Sequence, residues 1–164
     1  MRNVSTGIFV ALLIFSFATS GYADDASLTG TWSLVSFVRE TTDSHERYDQ
    51  LGPNPKGYIG YSPDGRMYAL LTSGNRVHPQ KNPPSIEEQS ELFQSEIAYA
   101  GTYKVEGNKV THHLDVASDE SRVGTDQVRF FRLEGDVLTI TTASNKSPID
   151  GREGIGILVF KKVR

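Results

Sequence analysis

The chain has 164 residues, 17 basic against 20 acidic, a net charge of −3 and no cysteine. With that slight acidity, nothing in the composition suggests nucleic-acid binding. The missing cysteines exclude disulfides, so core packing and backbone pairing must hold the fold.

The N-terminus carries Arg2, an apolar run from Gly7 to Phe17, and small residues Gly21 and Ala23 on either side of Tyr22. That order is a secretory signal peptide cut after Ala23. A membrane anchor is the competing reading, but a spanning helix needs about 20 apolar residues and this run gives way to Thr19, Ser20 and Gly21 before that length. No cysteine follows that lipid modification could use. The expectation is a leader over residues 1–23 and one exported domain over residues 24–164, periplasmic or secreted, with no membrane anchor after cleavage. That length suits one domain with a single core.

After the leader, short alternating runs are separated by turn signals, the pattern of an all-β barrel or sandwich. Leu28 to Arg39 is the first predicted strand. Gly57–Ser62 and Arg66–Thr72 flank Pro63-Asp64-Gly65, a tight hairpin loop with glycine at the positive-φ position. A long polar connection follows, of the kind that forms mouth loops. A helix is predicted from Ser85 to about Ala98. Ser85 with Glu88 three residues on forms a capping box, and Ile86, Leu92, Phe93 and Ile97 make an apolar stripe expected to face the sheet. A partner-binding helix is the competing reading. Ala100–Glu106 and Lys109–Ala117 flank Gly107-Asn108. Thr125–Glu134 and Val137–Thr142 flank Gly135-Asp136. Gly154–Val163 is a last strand able to close against the first and leave no exposed edge. The fold class is therefore all-β, an antiparallel up-and-down barrel of about eight strands with one α-helix between the third and fourth main strands.

Turn lengths fix which residues share a face, because opposed residues in a hairpin point the same way. Tyr61 opposes Met67 and Ile59 opposes Ala69. Tyr103 opposes His112 and Val105 opposes Val110, a face that alternation extends to Leu114 and Val116. Phe131 opposes Ile140 and Arg129 opposes Thr142, which places Gln127 on the same apolar face. His112 and His113 are neighbours on one strand and diverge to opposite faces, so they cannot chelate one ion together.

Five motifs in order, GTWSLVS (Gly30–Ser36), GYIGYSPDGRM (Gly57–Met67), AYAGTY (Ala98–Tyr103), VTHH (Val110–His113) and QVRFFRLEGDVLT (Gln127–Thr139), resemble the bacterial and fungal lipocalin-like domain family. The resemblance implies a calycin-type barrel with a central cavity and Trp32 at its closed end. It also implies a basic side chain over that tryptophan from the last strand. Lys162 stands where lipocalins often carry arginine, and lysine lacks the planar stacking surface of a guanidinium.

Arg129, Gln127, His112, Tyr103 and Tyr61 are the polar members of otherwise apolar inward faces, and they are the candidate ligand-binding residues. A guanidinium facing a cavity needs an anionic or strongly accepting partner, and no carboxylate lies on the assigned faces. A ligand carboxylate, water, backbone carbonyls or the barrel mouth remain as partners for Arg129. His112 is either a hydrogen-bonded structural histidine or a base. Two functions remain open: an exported binding protein for a small hydrophobic or amphiphilic molecule with a polar or anionic end, and a cofactor-free isomerase or cyclase using the same cavity. The first is preferred, so no catalytic residue, metal ligand or cofactor is assigned. CxxC, HExxH, GxxxxGK[ST] and GxSxG are all missing, and Gly151–Gly156 precedes a strand and not the helix a dinucleotide turn requires.

Overall fold

The computed structural model describes residues 28–147 and 149–164. The expected leader and its cleavage site lie outside the described residues. The elements in order are β1 (Gly30–Thr41), β2 (Arg47–Asp49), β3 (Lys56–Tyr61), β4 (Arg66–Thr72), α1 (Ile86–Gln94), β5 (Glu96–Glu106), β6 (Lys109–Ala117), β7 (Asp126–Glu134), β8 (Val137–Thr142), β9 (Asn145–Lys146) and β10 (Glu153–Lys162). Each main strand pairs antiparallel with its neighbour, and β1 pairs with both β3 and β10, so eight strands close into a barrel. The short β2 and β9 extend the sheet beside β1 and β10.

All three hairpin registers follow from the turns. Tyr61 pairs with Met67, Tyr103 with His112, and Arg129 with Thr142. Gly107 and Gly135 adopt φ of 63° and 59°, which glycine reaches without the steric cost a side chain would add.

Up-and-down order gives the barrel two unlike ends. The three tight hairpin turns lie at one end, where Trp32 is 1% exposed and donates from Nε1 to the Leu28 carbonyl at 2.8 Å. Lys162 Nζ sits 4.3 Å from the Trp32 ring centroid and also donates to the Thr29 carbonyl. Lysine thus fills the covering role through its charge over the ring face. The longer connections, including α1 and β9, lie at the other end.

Two expectations are corrected. The helix begins at its capping box as expected, but ends at Gln94, and Glu96 already belongs to β5. Its apolar stripe does not face the sheet: Ile86 is 80% exposed and Phe93 55% exposed. Ile97 is buried because it is a strand residue facing the barrel interior, where pairing with Leu71 of β4 outweighs one more helical turn. Val116 does not share the inward face of His112 and Leu114. Gly101 pairs with Leu114 while Ala100 pairs with Val116, leaving Asp115 as an extra residue. This bulge turns Val116 outward and packs Ala117 against the core. Gly101 permits it, since a Cβ there would fall 1.9 Å from the His113 carbonyl oxygen.

A second bulge lies in β1. Leu34 pairs with Phe160 and Ser36 with Val159, so Val35 is the extra residue. Trp32 and Leu34 point inward before it, and Phe37 and Arg39 after it. Strict alternation from Trp32 would have sent both Phe37 and Arg39 outward.

Candidate functional site

Above the packed closed end, the interior leaves a cavity of about 380 Å³. That volume falls in the range of small-molecule sites. Phe37, Ile59, Leu71, Ile97, Leu158 and Phe160 supply much of its apolar wall. Toward the end bearing the long connections the wall turns polar, with Arg39, Arg122, Arg129, Asp119, Asn145 and Lys146.

Of the residues singled out in the sequence, Arg129, Gln127 and His112 line the cavity. Tyr61 is buried beneath it, its hydroxyl 2.9 Å from His112 Nε2. Tyr103 lies lower, with its ring edge against Tyr61 at 4.9 Å between centroids and its hydroxyl donating to the Ser62 carbonyl. Tyr61 and Tyr103 therefore support the floor and are not among the lining residues. His113 points outward, its Nδ1 2.8 Å from Asp126 at the surface.

Arg39, Tyr99 and Arg122 are among the lining residues that the sequence reading missed. Arg39 is 2% exposed and was hidden by the β1 bulge. Tyr99, 9% exposed, falls between the expected helix, ending at about Ala98, and the expected strand from Ala100, and belongs to β5. Arg122 closes a short 3-10 turn, Glu120–Arg122, between β6 and β7, where no strand alternation assigns a face. The Asp119-x-Ser121 spacing that caps this turn was the available signal, because Asp119 accepts from the Ser121 backbone and hydroxyl.

The arginines differ in what they already hold. Arg39 is well partnered: Nη1 donates to Asn145 Oδ1, and Nη2 shares its two hydrogens among the carbonyls of Asn145, Arg152 and Gly154. It fastens the segment joining β8 to β10. Arg129 donates only to the Val128 carbonyl at 2.9 Å and to Gln127 Oε1 at 3.5 Å. Arg122 lies over the Tyr99 ring, 5.0 Å from its centroid. Neither Arg122 nor Arg129 has a carboxylate within ion-pair distance among the described residues. A guanidinium carries five N–H donors, so the two together leave most of their donors facing the cavity and its mouth. Burial lowers the Arg122 pKa, Tyr99 opposes that shift, and the like charge of Arg129 adds to it.

His112 is fully buried between two tyrosines. Nε2 faces Tyr61 and Nδ1 faces the Tyr99 hydroxyl at 3.4 Å. Burial first, then the charges of Arg129 and Arg122, pull its pKa down to about 3. The ring is neutral at physiological pH. Burial also holds the Tyr61 pKa well above the ordinary phenol value, with Tyr99 the next contributor, so Tyr61 keeps its proton.

The arrangement is an apolar chamber with hydrogen-bond donors concentrated at one side, suited to taking up a molecule with an apolar body and an accepting end. Residues 29–163 match the model of a family described as a lipocalin-like domain. No curated protein matches the chain.

Proposed function

The chain belongs to the lipocalin-like domain family, and from that premise we propose that its cavity holds a small, largely apolar molecule by an anionic end. Barrels of this kind bind ligands in general. One observation carries the finer reading: the guanidinium groups of Arg122 and Arg129 face the polar side of a cavity whose body is apolar, with no carboxylate in ion-pair reach among the described residues. A buried cation of this kind is costly without an accepting partner, and an incoming carboxylate supplies charge-assisted hydrogen bonds to both.

Gln127 supports Arg129 through its Oε1, while its Nε2 donates to Thr125 Oγ1. Proton transfer by His112 is the less supported alternative, because both ring nitrogens are turned to tyrosines and the ring is a weak base with its pKa about 3. The proposal also has the protein act outside the cytoplasm, periplasmic or secreted, on the strength of the leader-like residues 1–23. A mature N-terminus at Asp24 in mass spectra of the exported protein is the expected outcome, and a full-length chain retained in membranes opposes it.

The binding reading is tested with Arg129→Gln and decanoate as the probe, by calorimetric titration and by melting. The expected result is weaker binding of decanoate with the melting temperature barely moved. Unchanged affinity together with a stability loss above about 1 kcal/mol makes Arg129 structural and removes the proposal.

A further inference from the structure

The buried trio Tyr61, His112 and Tyr99 has a consequence for what the cavity accepts. The Tyr61 hydroxyl is 2% exposed as a residue and meets one hydrogen-bond partner among the described residues, His112 Nε2 at 2.9 Å. A buried O–H without an acceptor is expensive, so the Tyr61 proton goes to Nε2. A neutral imidazole carries one proton and one lone pair. With Nε2 accepting, the ring proton resides on Nδ1, which faces Tyr99 Oη at 3.4 Å. Tyr99 then accepts from His112 and keeps its own O–H for another partner. Tyr99 lines the cavity and has no other hydrogen-bond partner among the described residues. The opposite tautomer strands the Tyr61 proton in a closed site, and a doubly protonated ring strands it as well.

We propose that the chain Tyr61 to His112 to Tyr99 fixes the Tyr99 hydroxyl as a donor into the cavity, so that Tyr99, Arg122 and Arg129 together form a cationic, donor-rich head-group site that favours an ionised oxyanion over neutral polar groups. A carboxylate is the simplest such group, since it is acceptor-only and matches three converging donors. An alcohol or an amide carries no charge to meet the two guanidinium groups and accepts fewer such bonds than a carboxylate. His112 and Tyr61 are positioning residues here, acting on the ligand only through Tyr99. The inference rests on the proposed binding function and names its ligand class.

The test has a ligand-free arm and a ligand arm. In the first, two-bond proton–nitrogen correlation spectra of the 15N-labelled protein at neutral pH read the His112 tautomer. The expected pattern is the neutral ring protonated on Nδ1, and an Nε2-protonated or doubly protonated ring overturns the inference whether or not any ligand binds. In the second, calorimetry compares decanoate, decyl sulfate, decanol and decanamide. The wild type should favour the two anions over decanol and decanamide by at least about tenfold. Tyr99→Phe should weaken the two anions more than decanol and so shrink that preference severalfold, and Tyr61→Phe should shrink it in part while shifting the His112 nitrogen signals. A preference untouched by Tyr99→Phe overturns the inference. Failure of all four probes to bind, with the Nδ1 tautomer present, instead sinks the binding function and with it the head-group selectivity.

Discussion

At the closed end, three tight turns join strands whose registers follow from alternation alone, and the side chains there pack to almost no exposure around Trp32. At the opposite end, the connections are long, two short strands and a helix are added, and charged side chains turn inward. One end is built for stability and the other keeps a cavity and unspent donors. Lys162 and Arg39 show the contrast in single residues. Lys162 covers an aromatic ring at the closed end, whereas Arg39 fastens the β8–β10 connection whose residues Asn145, Lys146 and Ser147 line the cavity. Stability and binding are thus separable along the barrel axis, and substitutions at the two ends should report on different quantities.

The sharpest way to break this division is Trp32→Ala. Truncating so large a buried aromatic should cost about 3 to 5 kcal/mol in denaturant unfolding, and the wild-type fluorescence maximum should be that of an indole shielded from water. A water-like emission maximum in the folded protein would remove the closed end as the stabilising region.

Arg39→Leu should come next, at about 2 kcal/mol, because it strands the carbonyls of Asn145, Arg152 and Gly154. Hydrogen exchange should rise first in residues 143–147 and 149–153. A uniform rise over the whole barrel would mean that Arg39 belongs with the closed-end core and that the open end is not a separable unit.

The smallest effect within any single pH unit is a pH slope. His112 has a pKa of about 3 in the folded protein and about 6.5 when unfolded. Between those values the unfolded chain binds the extra proton, so stability rises with pH. The contribution of the neutral ring is complete above about pH 6.5 and is lost as pH falls toward 3, at about 1.4 kcal/mol per pH unit. Unfolding curves of the wild type and His112→Gln should therefore converge as pH falls through that window. Parallel curves would show that His112 is not held neutral by its burial.

Most of the barrel was readable because hairpin geometry is local. Gly135-Asp136 sets the pairing of Arg129 with Thr142, and the period of two then assigns Gln127 and Phe131 without further information. His112 and Arg129 were found inward for that reason. Arg122 and Tyr99 were not, because one lies in a connection with no period and the other in a stretch where helical and strand spacing both fit the sequence.

The sequence by itself determined the hairpin registers and the helix start at Ser85, since each depends on residues close in the chain, and its alternating pattern and family resemblance pointed to the closed barrel and to Trp32 at its closed end. The tertiary structure decided where alternation breaks. Val35 and Asp115 are extra residues opposite strands that have none, and a bulge exists only when the partner strand fixes the pairing on both sides. The first of these turns Arg39 and Phe37 into the cavity, and the pairing of Tyr99 with Ala117 brings Arg122, in the connection after β6, over the Tyr99 ring. A donor-lined cavity is thus a property of pairings across the barrel, which no local pattern encodes.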